Sequence, residues 1–331
     1  MSIVQVPYEI PPDQQTFAQP IVFFRLDTIS TLARSLFARD LPALKLRVPH
    51  RPIARSIATA GIFPSLRVLD LSTTFIPGAD LDPVTSRLRK VQALVLDGCS
   101  LVRAGAGGEE EWKAVGHLCA TGGLRLARER ERILRGWLER QAALDAVSSA
   151  TMVQSTASSS TAQASRTRKP AKARKGVASL VGGMQAMSVN SDAVLVIPKI
   201  RVLPSYPNLL ALSTTIPFTT DILPFNVAEA LAEGWRDGIR ILHTARVRLR
   251  TSLSHGTRVV RILEHHERDP GSTEGEDKGM DGLKELSRVD DVWMEDDLEH
   301  PAPVFCLAGP DKKAEHPEGC AHRYAWDIWD E

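Results

Sequence analysis

The chain has 331 residues, with 41 Lys and Arg against 40 Asp and Glu, a formal net charge of +1, 43% hydrophobic residues and 5% aromatic residues. This length supports a sizeable core, as one large domain or two ordinary ones. The near-neutral balance excludes a uniformly basic nucleic-acid binder and a wholly acidic disordered chain.

Residues 1–20 carry Pro7, Pro11, Pro12 and Pro20 and read as an irregular lead-in. The start at Met1 has neither the basic region nor the apolar stretch of a signal peptide. No window approaches the ~20 apolar residues that cross a bilayer. The four cysteines, at 99, 119, 306 and 320, are too few and too scattered for a disulfide framework. The expectation is an intracellular chain, cytoplasmic or nuclear, with reduced thiols and no membrane partner.

Residues 21–147 are expected to hold short strands followed by helices. Glu109, Glu110 and Glu111 open a helical stretch, where acids suit the helix dipole. Gly122-Gly123 divides this stretch in two. The second helix carries an apolar stripe of Leu126, Ile133, Leu134, Trp137, Leu138 and Leu144. Between Ser148 and Thr167, 11 of 20 residues are Ser or Thr, and Arg166, Arg168, Lys169, Lys172, Arg174 and Lys175 follow. Such a stretch buries too little apolar surface to offset its ordering entropy, so residues 148–190 read as a disordered linker.

Order is expected to resume over 191–263. Strand-like runs cover Ile197–Leu203 and Leu209–Thr214, and a helix follows from Asn226 to about Leu253. Its broad apolar face holds Leu231, Trp235, Ile239, Leu242, Leu249 and Leu253. From Glu264 to Glu299 there are 14 acids against 4 Lys or Arg, so residues 264–303 read as a disordered acidic loop. Residues 304–331, with Phe305, Tyr324, Trp326 and Trp329, are too aromatic for a free tail and are expected to dock on the folded part.

One feature is periodic. Leu41-Pro-Ala-Leu44-Lys-Leu46 recurs 25 residues on as Leu66-Arg-Val-Leu69-Asp-Leu71, and again as Val91-Gln-Ala-Leu94-Val-Leu96. The third unit extends to Cys99 and Leu101, and Leu209-Leu-Ala-Leu212 echoes the pattern after the linker. The pattern L-x-x-L-x-L-x-x-C-x-L resembles the leucine-rich repeat, whose units run ~20–29 residues. Pro49 and Thr74 stand where that family has Asn or Cys, and only Cys99 fits. The layout also resembles fungal leucine-rich-repeat and F-box-like proteins. Val6-Pro7-Tyr8-Glu9-Ile10 matches the Leu-Pro-x-Glu-Leu opening only in part, so no F-box is assigned. The resemblance implies an α/β fold, with a short parallel sheet of repeats flanked by helices and interrupted by long disordered insertions. The other reading is a Leu-rich α/β domain whose strands happen to share a spacing.

Candidate chemistry is sparse. Cys306, His316, Cys320 and His322 offer thiolate and imidazole ligands suited to tetrahedral zinc. Their C-x9-H-x3-C-x-H spacing matches no standard finger, and the alternative is buried thiols with surface histidines. The basic block from Arg166 to Lys175 reads either as a nuclear-import signal or as a solubilising linker. It lacks the interleaved aromatics that stack on bases, so nucleic acid is not the expected partner. Phosphate-loop, dinucleotide, H-E-x-x-H and G-x-S-x-G motifs are all missing.

The expectation is therefore a non-enzymatic interaction or scaffold protein that presents its strand face to a protein partner and needs no cofactor, with zinc as the one candidate. The alternatives are a hydrolase or transferase with an unfamiliar site and, more remotely, a nucleic-acid-associated factor. The net charge of +1 is a cancellation of a +6 block in one linker, a net −10 segment of 14 acids and 4 cations in another, and about +5 on the remainder.

Overall fold

The computed structural model describes residues 1–4, 31–32, 35–58, 63–99, 101, 108–157, 199–216, 225–263 and 282–329. The basic block and His265-His266 lie outside them.

The three repeat units form three neighbouring strands, β2 (Ala43–Arg47), β3 (Val68–Asp70) and β4 (Ala93–Leu96). They pair in parallel, with Ala43 opposite Val68 and Val68 opposite Ala93, so the 25-residue spacing is also the pairing register. The period extends into the turns. Thr73 and Gly98, again 25 apart, both adopt left-handed backbone at φ 67° and 68°. Thr74 and Cys99 follow them, and both side chains donate to the carbonyl of Leu71, at 2.6 and 3.2 Å. Thr74 thus satisfies the same turn as Cys99, although it is not the residue the repeat pattern prefers.

Three more strands extend the sheet. β1 (Ser2–Val4) pairs with β2, while β6 (Ala211–Thr214) lies between β4 and β9 (Val304–Cys306). All six strands are parallel, in the order β1-β2-β3-β4-β6-β9. Alternation along each strand sends the two sides of the pleat to different layers. Leu44, Leu46, Leu69, Leu71, Leu94, Leu96 and Leu212 face the main core. That core is closed by α2 (Ala54–Ile57), α3 (Gly78–Arg87), α4 (Glu109–Ala120) and α6 (Val227–Leu253). A short α1 (Leu36–Arg39) precedes β2 and adds Ala38.

Helices α4 and α6 meet at backbone distance. A Cβ on Gly116 would lie 2.0 Å from the Leu231 carbonyl oxygen, and one on Gly234 would lie 1.9 Å from that of Lys113. Only glycine permits this approach. The side chain of Asn226 caps α6 by accepting from the backbone N–H groups of Ala228 and Glu229. The expected apolar face of α6 is inward, with Leu231, Trp235, Leu242 and Leu249 buried.

The helix after Gly122-Gly123, α5 (Gly122–Ala157), runs ten residues into the segment expected to be disordered from 148. Its apolar stripe is covered only in part. Leu134 is buried against β5 (Ile200–Val202) and β7 (Arg258–Ile262), whereas Ile133 and Leu144 are exposed.

The acidic segment departs from expectation in its second half. β8 (Leu283–Glu285) joins β5 and β7 in a small second sheet, and a 3-10 helix spans Asp291–Asp297. Acidic composition alone argued for a solvated loop, but Leu286 and Trp293 are buried against Leu203, Leu249 and Val259. A buried cation also holds this segment. Arg246 binds Asp296 and donates to the carbonyls of Pro204 and Val292, each at 2.7 Å, and its guanidinium lies 4.5 Å from the Tyr206 ring centroid.

The opposite face of the main sheet is not open. α7 (Ala321–Trp329) lies across it, packing Ala321 and Ala325 against Ala43, Val68, Ala93, Val95 and Ala211.

Candidate metal centre

Cys306 ends β9, the edge strand, and faces away from the solvent at 2% exposure. The chain then runs through turns, with Gly309 and Gly319 in left-handed conformations at φ 75° and 72°. Gly319 delivers Cys320 to the start of α7, and His322 stands on its first turn. His316 is carried by the intervening turns. The four residues singled out for zinc converge, and their candidate ligand atoms all lie within 4.8 Å of one another.

The hydrogen bonds select which imidazole nitrogen is available. His322 Nε2 lies 2.7 Å from Asp97 Oδ2, so Nε2–H donates to the carboxylate and the lone pair stays on Nδ1. That Nδ1 is buried and has no hydrogen-bond partner. His316 Nε2 lies 2.8 Å from the carbonyl of Asp311, which again leaves Nδ1 free to accept. His316 Nδ1 lies 3.4 Å from Cys306 Sγ and 3.7 Å from Cys320 Sγ. Zinc bonds of ~2.3 Å to sulfur and ~2.0 Å to nitrogen in a tetrahedron put S and N about 3.5 Å apart. His316 Nδ1 therefore stands from both thiols at the spacing of a tetrahedral site, and both imidazoles carry the outer hydrogen bond that zinc-bound histidines make.

Burial pushes the Cys306 thiol above its ordinary pKa, and the neighbouring Cys320 and Asp97 raise it further. An S2N2 set is soft and excludes calcium and magnesium, which take oxygen ligands. Trp326 screens the site, with the His316 ring edge-on at 4.7 Å and the His322 ring stacked at 5.9 Å. The other two cysteines are elsewhere in the fold. Burial raises Cys99 and Cys119 each to about 12, which makes them inert packing thiols at neutral pH.

Sequence reasoning missed Asp97. It follows β4 and stands 225 positions before His322, so no local spacing connects the two. The only hint was an acid at the carboxyl end of a parallel strand, where α/β folds tend to place ligands.

Two expectations are corrected here. The strand face proposed as a protein-binding surface carries α7. The reading of a non-enzymatic protein is overturned by the converged metal-ligand quartet, which favours metal-based function and the hydrolase or transferase alternative, while zinc as the one candidate cofactor agrees with it. A second cluster of polar groups lines a cleft of about 250 Å³ between α6 and residues 296–300, with Tyr206, His243, Asp296 and His300 in its wall. There the Tyr206 hydroxyl lies 3.2 Å from both His243 Nδ1 and Asp296 Oδ1, and His300 stacks on its ring at 3.8 Å.

No family model matches the chain, and no curated protein or solved structure matches it either. Among the described residues, no helix is long and apolar enough to cross a membrane.

Proposed function

We propose that the protein is a zinc protein, with a single ion held by Cys306 Sγ, His316 Nδ1, Cys320 Sγ and His322 Nδ1. The observation that carries this reading is the pair of imidazoles. Both spend Nε2 on an oxygen acceptor, His316 turns its Nδ1 toward the two thiols, and His322 keeps a buried Nδ1 without a hydrogen-bond partner. Asp97 then acts as a positioning residue, fixing the His322 tautomer and making the ring a better donor. Zinc would supply positive charge at the thiols, which would ionise on binding. Elemental analysis of the purified full chain should give one zinc per molecule, and Cys320→Ser should abolish it. A wild-type protein without zinc, and without affinity for added zinc, would sink the proposal.

A second reading, a metal-dependent hydrolase or transferase, rests on His316. It is the one ligand only partly buried, and it lies in the irregular stretch between β9 and α7. Its departure would open the fourth position that catalytic zinc requires. The zinc-loaded chain should then hydrolyse activated esters or phosphate esters. His316→Ala should retain the ion with water in the vacated position, and cobalt substitution should report the change in its visible spectrum.

The 25-residue register supports reading residues 41–101 as leucine-rich-repeat-like. Strands, turns and buried leucines share the period.

A further inference from the structure

We infer that the metal centre is the lock that holds the C-terminal segment over the sheet, so that metal binding and docking of α7 are one coupled event. This inference rests on the zinc reading above and adds what the ion controls.

Little else holds α7. It has nine residues, shorter than the ~12–15 below which an isolated helix is marginal in water. Tyr324 and Trp329 pack against the sheet only partly buried, and the buried apolar side chains of the helix, Ala321 and Ala325, meet mainly alanine and valine there. Such contacts remove little apolar area from water, and burial energy follows area. The preceding stretch from Leu307 to Cys320 contains turns only.

Against this weak packing stand three polar tethers, all at the metal quartet. Cys306 belongs to the sheet itself, as the last residue of β9. Cys320 and His322 belong to the start of α7. One ion bound by all three therefore joins strand to helix directly. The His322–Asp97 hydrogen bond adds a second link, from α7 to the end of β4. Without the ion, two buried thiols and an unpartnered His322 Nδ1 remain at the junction. A buried polar atom without a partner opposes docking. The junction is therefore held more strongly with the metal than without it.

Linkage makes the claim reciprocal. If zinc strengthens docking by some factor, weakening the docking must reduce zinc affinity by that factor. Two measurements on the full chain test this. The first is hydrogen exchange of peptides covering 307–329, with zinc bound and after removal by a chelator. Exchange there should rise about tenfold or more on stripping, while β2, β3 and β4 stay protected. The second is zinc affinity, by competition with a chromophoric chelator, in Ala325→Asp. This variant leaves all four ligands in place but puts a charge under α7, and affinity should fall about tenfold or more. Trp329→Ala, a milder loss of docking, should move affinity in the same direction by less, which covers the case in which the Asp variant misfolds.

Unchanged exchange after stripping, or full zinc affinity in both docking variants, would overturn the lock while leaving the zinc reading intact. Failure of the wild-type chain to bind zinc would overturn both.

Discussion

The repeat sheet and the C-terminal segment solve the same problem with different materials. Around β2, β3 and β4, each repeat unit sends its last two leucines into a core that also holds Ile53, Ile57, Leu81 and Trp112. Stability there is spread over many fully buried aliphatic side chains, and any one of them is a small part of the total. In residues 304–329 the buried apolar residues are mostly alanines, and order depends on a few side chains that meet at one point. On the metal-lock reading, the first arrangement is insensitive to metal and sensitive to volume, and the second is the reverse.

The strongest way to break the first arrangement is a large cavity. Leu69→Ala, at 0% exposure in the central repeat strand, should cost about 2–5 kcal/mol and lower the urea midpoint of the whole domain. It should leave zinc stoichiometry unchanged in the fraction that remains folded. Equally severe is Arg246→Met, which leaves Asp296 buried without its cation and should cost about 3–5 kcal/mol. If stability proved unaffected, Asp296 would have to be protonated or hydrated in the variant. Gly116→Ala tests the close approach of α4 and α6. It places a methyl group against the Leu231 carbonyl and should cost about 1–3 kcal/mol, read by chemical denaturation.

The second arrangement is sharpened by Asp97→Asn. The amide keeps the shape but cannot accept from His322 as strongly as a carboxylate does. Zinc affinity should fall about 10- to 100-fold, with little change in the urea midpoint of the stripped protein. A loss of global stability without a change in metal affinity would assign Asp97 to the sheet rather than to the centre. The smallest effect belongs to the surface. Removing the exposed Arg258–Glu285 pair with Arg258→Ala should change stability by less than about 1 kcal/mol and leave metal binding unaltered.

The two regions also differ in how far they could be read from residues alone. The repeat strands were legible because a 25-residue period in leucine is a local statement about which side chains point inward. The long helix from Val227 was legible for the same reason, since its apolar face recurs at helical spacing. The folded half of the acidic segment was not. Its charge count hid Leu286 and Trp293, and its anchor, Arg246, stands some 50 positions away in sequence. For the metal centre the four ligands were named, but their spacing fits no standard motif, so nothing local showed that they would meet.

Composition, period and residue chemistry together determined the strands, their 25-residue register, the inward face of α6 and the choice of thiols and imidazoles as metal ligands. Tertiary structure alone decided that the strand face is covered, that Asp97 reaches His322 and that both imidazoles spend Nε2 on an oxygen. The physical reason is that burial patterns repeat along the chain, where each residue's neighbours in sequence reveal them. A coordination sphere, by contrast, is made by side chains that only folding brings within a few ångströms.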